Sequence, residues 1–438
     1  MKRNATCLIT GGRVVDPSQD LDERADVLVR DGRVAEIGKG IKADGAEPLD
    51  ASGCIVAPGF IDMHVHLREP GFEHKEDIAS GTRAAARGGF ASVACMPNTN
   101  PVIDTPGVID LIRMRAEEVG VVNVFPIGAI TAGLECKDIA NIGLLVEAGA
   151  VAVSDDGKGS QDSYVLRRAL DYATMFGVPY ISHAEDKRLA ADGVMHEGHY
   201  STLLGLSGIP SAAEEIHVAR NAILAELTGT PCHIAHISSA GSVRIVREAK
   251  ARGVAITAEV TPHHFTLTDA CLTTYDANFK MNPPLRSEDD RQALLDGLRD
   301  GTIDCIASDH APHAHNDKQV EFPYAAFGVI GLETALSLAC NELLHKGVLD
   351  LRELVEKMAC APARILNLKA KGSLKKGMDG DVTVFDPDAE ITVNADEFAS
   401  KSRNTPFNGW KLKGAPVATI VAGHVVWNAR AASKAASR

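Results

Sequence analysis

Through the middle of the chain, apolar and β-branched runs alternate with stretches of helical patterning. The runs are GFIDMHVHL (59–67), FASVACMPN (90–98), VNVFPIGAI (122–130), GAVAVSDDG (149–157), PYISHAED (179–186), PCHIAHIS (231–238), AITAEVTPHH (255–264) and IDCIASDHAPH (303–313). Helical stretches such as 76–88, 105–118, 161–176, 212–228, 240–252 and 329–345 separate them. This alternation predicts parallel βαβ units, and eight of them predict an α/β fold of the (β/α)8 TIM-barrel type. The two ends read differently. ADVLVRDGRVAEIG predicts a hairpin turning at Asp31-Gly32, and ATIVAGHVVWNA one turning at Ala422-Gly423. Neither end is long enough to bury a sheet core alone. Residues 1–57 and 368–438 are therefore expected to combine into one small β-sandwich domain, with the barrel over 58–367. The tail ARAASKAASR is expected to fray.

Polar residues gather at the ends of the predicted strands, where a barrel of this type carries its catalytic groups. Strand alternation puts Ile61, Met63 and Val65 on one face, toward the helices, and Asp62, His64 and His66 on the other. Two imidazoles at this spacing can share a metal ion or can be hydrogen-bonded barrel histidines. Four other strand ends carry further candidates: His183 in YISHAE, His236 in CHIAHIS, Asp309 in CIASDH and the pair Asp155-Asp156 in VAVSDDG. His236 shares the parity of Cys232 and Ile234, and His233 the opposite one. With Val151 and Val153 toward the helical layer, Asp156 is the inward aspartate. Four histidines and two aspartates at one mouth supply enough nitrogen and oxygen for two zinc-like ions.

Composition narrows the function further. The chain has 438 residues and a net charge of −13, which argues against nucleic acid or anionic membranes as partners. An anionic small substrate would then need a local cation. Nine scattered cysteines without C-x-x-C spacing fit reduced thiols in a cytoplasmic protein. No signal peptide is expected at MKRNATCLITGG, nor any run long enough to span a bilayer.

PGFIDMHVHLREPGFEHKEDIASGTRAAARGGF, MPNTNP, SDDG, SHAED, TAEVTPHH, MNPPLR, ASDHAPH, FGVIGLET and SRNTPFNGWKLKG, in this order, resemble the amidohydrolase superfamily and within it the dihydroorotase family of the longer bacterial type. The resemblance implies a zinc-dependent, reversible hydrolysis of a cyclic amide, a step of pyrimidine synthesis. It implies that His64, His66 and Asp309 hold one zinc, that His183 and His236 hold a second, and that Asp156 bridges them. Many superfamily members bridge with a carboxylated lysine instead. Asp309 is implied as the group that moves the proton. Arg68, just past the metal histidines, offers a planar fork to a substrate carboxylate, unless it forms a surface ion pair with Glu69 or Glu73. Asn98 and His313 are expected to donate N–H groups, while Asn282 and the backbone at Phe327-Gly328 are implied at the ring amides. His263, His264 and His310 are expected to give support rather than ligation. Alternatives are a hydantoinase or allantoinase, or a silent scaffold for aspartate carbamoyltransferase. A homodimer and an association with that transferase are the partner readings. YAAFG at 324–328 departs from the pattern, which has proline before the phenylalanine.

Overall fold

The protein is described here from a computed structural model over residues 5–430. The first residues of the N-terminal segment and most of the tail expected to fray lie outside the described residues. The eight apolar runs form eight parallel strands in chain order: β1 (Phe60–Val65), β2 (Phe90–Cys95), β3 (Asn123–Ala129), β4 (Ala152–Ser154), β5 (Tyr180–Ser182), β6 (Cys232–Ile234), β7 (Ile256–Val260) and β8 (Cys305–Ile306). The barrel closes just beyond β1 and β8, where the His66 N–H donates to His310 O at 2.9 Å. Its interior is filled by methionines, isoleucines and small residues, among them Met63, Ala94, Met96, Ile127, Ala152, Ile181, Ala235 and Cys305.

Alternation fails locally in β1. Its register against β2 slips between Asp62 and Val65. Met63, expected on the helix side with Val65, instead packs in the barrel interior, with its sulfur 3.5 Å from Cys305 Sγ. Val65 does face the helical layer. A bulge of this kind changes which side chains share a face.

Strands from both ends build the additional sheets. One has four strands: Arg33–Gly38, Asp26–Arg30, Cys7–Thr10 and Glu47–Asp50. The other has six: His424–Asn428, Lys411–Val421, Val382–Thr392, Ile55–Pro58, Arg13–Asp16 and Leu21–Arg24. Both expected turns are present, with positive φ at Asp31, Gly32, Ala422 and Gly423. Val27, Val29, Val34, Val56, Val382, Val384 and Ile420 share one buried cluster, so neither end completes this core alone. Among the described residues the cysteines are all free thiols, and no helix is long and apolar enough to cross a membrane.

The C-terminal strand Val382–Thr392 also grips the start of the barrel. Phe60 N–H donates to Thr383 Oγ1 (2.9 Å), whose hydroxyl donates to Gly89 O (2.7 Å). The fully buried Phe60 ring lies 5.6 Å from Phe385 and 6.4 Å from Phe90. Phe60→Ala leaves a cavity at this joint and should destabilise the protein by about 3–5 kcal/mol. Urea titration should show a lower midpoint with an unchanged slope; a midpoint equal to wild type would show that the joint does not depend on this ring.

Candidate metal centre and active site

The strand ends meet around one carboxylate. Asp156 Oδ1 lies 3.3 Å from His64 Nε2, 3.6 Å from His183 Nδ1 and 3.7 Å from His236 Nε2, and its Oδ2 lies 3.5 Å from His66 Nε2. Asp309 Oδ1 stands 3.1 Å from His66 Nε2 and 3.5 Å from His64 Nε2. All six side chains are buried. Burial opposes ionisation of both aspartates, but the surrounding imidazoles outweigh it and hold both carboxyls well below the usual range.

In three of the four rings the outer nitrogen is held from behind, which turns the inner nitrogen toward the centre. His64 Nδ1 meets Glu259 Oε1 at 2.6 Å, His66 Nδ1 meets Asn98 Oδ1 at 2.9 Å, and His183 Nε2 meets Glu185 Oε2 at 3.4 Å. His64 Nε2 is buried without a hydrogen-bond partner. His183 Nδ1 and His236 Nε2 face each other at 3.0 Å. A buried ring of imidazole nitrogens and carboxylate oxygens fits divalent cations of the zinc type. His64 with Asp156 and His236, and His64 with His66 and Asp309, each gather ligand atoms within 4.8 Å of one another.

Backbone conformation aims several of these groups. Arg68, His236 and Asp309 have φ of 62°, 33° and 45°. Side chains rarely adopt this left-handed region, and such strain concentrates at functional sites. At His236 it overrides strand parity. Cys232 and Ile234 belong to the layer against the helices, yet His236, of the same parity, turns into the mouth. His233, expected to face away from His236, points inward as well, with Nε2 3.1 Å from Glu259 Oε2.

The other predicted residues line the same cavity, of about 330 Å3, at the small end of ligand pockets. Arg68 lines it, with Nε donating to Pro312 O at 3.1 Å. The ion pair with Glu69 or Glu73 is not formed: Glu69 holds Arg115 at 2.8 Å, and Glu73 accepts from Gly71 N. Neither Nη of Arg68 has a protein partner among the described residues. Burial lowers this guanidinium to about 10, partly offset by Asp309 and Asp156. Asn98 is already engaged, since its Nδ2 also lies 3.3 Å from Asp156 Oδ2. His313 donates from Nε2 to Phe327 O at 2.8 Å, and burial lowers it to about 3, so it is neutral at pH 7. Asn282 donates to Glu185 Oε1 at 3.2 Å. Gly328 has φ of 135°, and a Cβ there would come 2.8 Å from the Ala311 Cβ. Where the family pattern has proline, Ala326 N–H donates to Asp317 O at 3.0 Å, a bond proline lacks.

The supporting histidines sit outside the ring of converging nitrogens. His310 Nε2 lies 3.4 Å from Glu76, and its Nδ1 accepts from Gly331 N at 3.2 Å. His264 bridges Thr261 and Pro283 O. His263 is buried, its Nε2 without a partner.

Two carboxylates escaped the sequence reading, Glu259 behind the site and Glu185 on its wall. Glu259 receives His64 Nδ1, His233 Nε2 and the His236 backbone N–H (3.2 Å). Burial opposes its ionisation, but His64 and His233 hold it at about 2. Its signal was present: in AITAEV the apolar Ile256, Ala258 and Val260 face the helices, leaving Glu259 on the inward face. Glu185, next but one to His183, holds that ring and Lys187. Asp155 turns away from the cavity and fixes backbone, accepting from Ser160 N and His183 N.

Comparison with known proteins gives a consistent result. The Dihydro-orotase-like family profile matches residues 53–242. The chain is 57% identical over 423 residues to the dihydroorotase of Pelotomaculum thermopropionicum, covering 97% of this chain and 99% of that one. It is also 57% identical over 423 residues to the dihydroorotase of Citrifermentans bemidjiense, covering 96% and 99%. Among solved structures it resembles L-hydantoinase (dihydropyrimidinase) from Arthrobacter aurescens with a TM-score of 0.87, at 26% identity and 96% coverage of each chain.

Glu259→Gln keeps the shape behind His64 but removes the charge that orients two imidazoles. Metal affinity should fall by about 10- to 100-fold, read by competition with a chromogenic chelator. Wild-type affinity in a folded variant would show that Glu259 does not tune the centre.

Proposed function

The chain belongs to the dihydroorotase family of cyclic-amide hydrolases, and from that premise we propose how the pocket at its barrel mouth interconverts N-carbamoyl-L-aspartate and L-dihydroorotate. The observation that carries the substrate reading is Arg68: a cation at the cavity wall, its Nη groups unpaired, in a protein of net charge −13. A ring substrate with a carboxylate fills that vacancy with a bidentate, charge-assisted pair. Hydantoin and allantoin carry no carboxylate.

The donor set supports zinc: His64, His66 and Asp309 would hold one ion and His183 and His236 a second, with Asp156 within reach of both sets. When bound, such a pair lowers the pKa of a water it holds and polarises the ring carbonyl. Asp309 is ionised at neutral pH and stands beside His66, so it accepts the proton of the attacking water. As the ring C–N bond breaks, Asp309 returns that proton to the leaving nitrogen, and the reverse order closes the ring. Arg68 holds the carboxylate. His313 joins it by exchanging Phe327 O for a carboxylate oxygen. Asn98 uses its remaining N–H, and Asn282 with the Phe327-Gly328 backbone orients the ring amides.

We place the enzyme in the cytoplasm, a reading supported by its free thiols. We read it as a homodimer, which the exposed Ile216, Ile223 and Leu227 of helix Ser211–Thr228 support. Association with aspartate carbamoyltransferase rests on the family resemblance alone.

Asp309→Asn keeps an oxygen at the centre and removes the base. At unchanged metal content, kcat should fall about 10²-fold or more; near-normal kcat would assign the proton to another group. Arg68→Met should weaken dihydroorotate binding by roughly 1.5–3 kcal/mol, with Arg68→Lys recovering part of it. Dihydrouracil, which lacks the carboxylate, should be a poor substrate for wild type and be little affected by the substitution. Equal damage to both substrates would make the arginine structural.

A further inference from the structure

Two ammonium groups lie buried behind one wall of the pocket, and neither forms an ion pair among the described residues. Lys280 is 2% exposed and Lys318 8%. Burial lowers Lys280 to about 8, and burial together with the like charge of Lys280 lowers Lys318 to about 7. A buried charge without a counter-ion is costly and persists where polar groups enclose it. Here each ammonium is enclosed by the other's chain segment. Lys280 Nζ donates to Phe322 O and Pro323 O, both at 2.9 Å, and lies 4.5 Å from the Phe327 ring centroid and 5.4 Å from that of Phe322. Lys318 Nζ donates back to Ala277 O at 2.9 Å and Lys280 O at 3.0 Å. Gly328 N–H also donates to Lys280 O, at 2.9 Å.

The two stitched segments end in pocket residues. Residues 277–282 follow β7 and end at Asn282, which lines the cavity. Residues 315–328 follow β8 and end at Phe327 and Gly328, which line it too. Phe327 O in turn accepts from His313. Neither lysine lines the cavity itself.

We propose that Lys280 and Lys318 form a reciprocal clasp, positioning residues that hold Asn282 at a fixed distance from the Phe327-Gly328 backbone and so set the affinity for the substrate's ring amides without touching the substrate. This rests on reading that wall as the ring-amide site. Cutting either side of the clasp leaves the segments joined by fewer bonds, the Gly328 N–H to Lys280 O bond among them, and small displacements of binding groups have large effects.

The test uses Lys280→Met, Lys318→Met and the double variant, each checked for metal content. Steady-state kinetics on dihydroorotate and hydrogen exchange of the 313–328 amides are measured together. Each single variant should raise KM about tenfold with kcat within about threefold of wild type, a loss of binding rather than chemistry. The double variant should be no worse than about twice the weaker single one, because either cut opens the same clasp. Exchange at Gly328 should quicken in all three. Should Lys280→Met fail to fold, Lys318→Met carries the same test. Unchanged KM with wild-type exchange overturns the clasp. So do multiplicative effects in the double variant, or kcat and metal content falling together. Faster exchange in proteins that neither bind nor turn over dihydroorotate would sink the functional reading while leaving the clasp standing.

Discussion

Everything at the barrel mouth depends on one buried carboxylate facing four imidazoles. Asp156 sits within 3.3–3.7 Å of a nitrogen from each of His64, His66, His183 and His236. Three of the four rings are gripped on the far side, which fixes the nitrogen each turns to the common centre. Glu259, Asn98 and Glu185 grip His64, His66 and His183, and Glu259 takes the backbone N–H of His236. Asp62 ties β1 to the end of β8 by accepting from His64 N and Ser308 N, both at 3.1 Å, although burial raises its carboxyl to about 7. Orientation from behind is what turns six polar side chains into a centre that can hold cations.

The rest of the molecule keeps that arrangement from relaxing. Positive φ at His236 and Asp309 costs backbone energy that only a well-packed scaffold retains. The scaffold is a barrel filled by Met63, Ile127, Ile181 and small residues, braced at its first strand by Phe60 against Phe385. The C-terminal strand Val382–Thr392 thus reaches across the sequence to steady the strand that carries His64. Charge follows the same logic. Carboxylates dominate the chain, so the unpaired Arg68 at the cavity wall is a local inversion of sign, suited to an anion that the rest of the surface repels.

Much of this was legible in the chain. The eight strands fall inside the eight apolar runs, because parallel strands buried on both faces need continuous β-branched segments. Asp31, Gly32 and Gly423 tolerate the left-handed backbone that the hairpin turns need, while Ala422 adopts it at a φ of 48° without that tolerance. His64, His66, Asp156, His183, His236 and Asp309 drew notice as polar residues ending apolar strands, and the structure brings all six together. Parity was the weak tool. It assumes regular pleating, and the slip in β1 and the turn at His236 break that assumption for Met63 and His236.

The sequence by itself determined the barrel, the mouth at which its polar residues gather and the types of donor found there, because periodicity and residue chemistry are local properties. Only the tertiary structure decided which nitrogen of each histidine faces the centre, that Glu259 and Glu185 stand behind them, that Arg68 has no acidic partner, and that Lys280 and Lys318 stitch two distant loops. Apart from Glu185, two residues from the ring it holds, those facts depend on contacts between residues tens to hundreds of positions apart. No spacing in the chain records them, because they arise when the barrel closes.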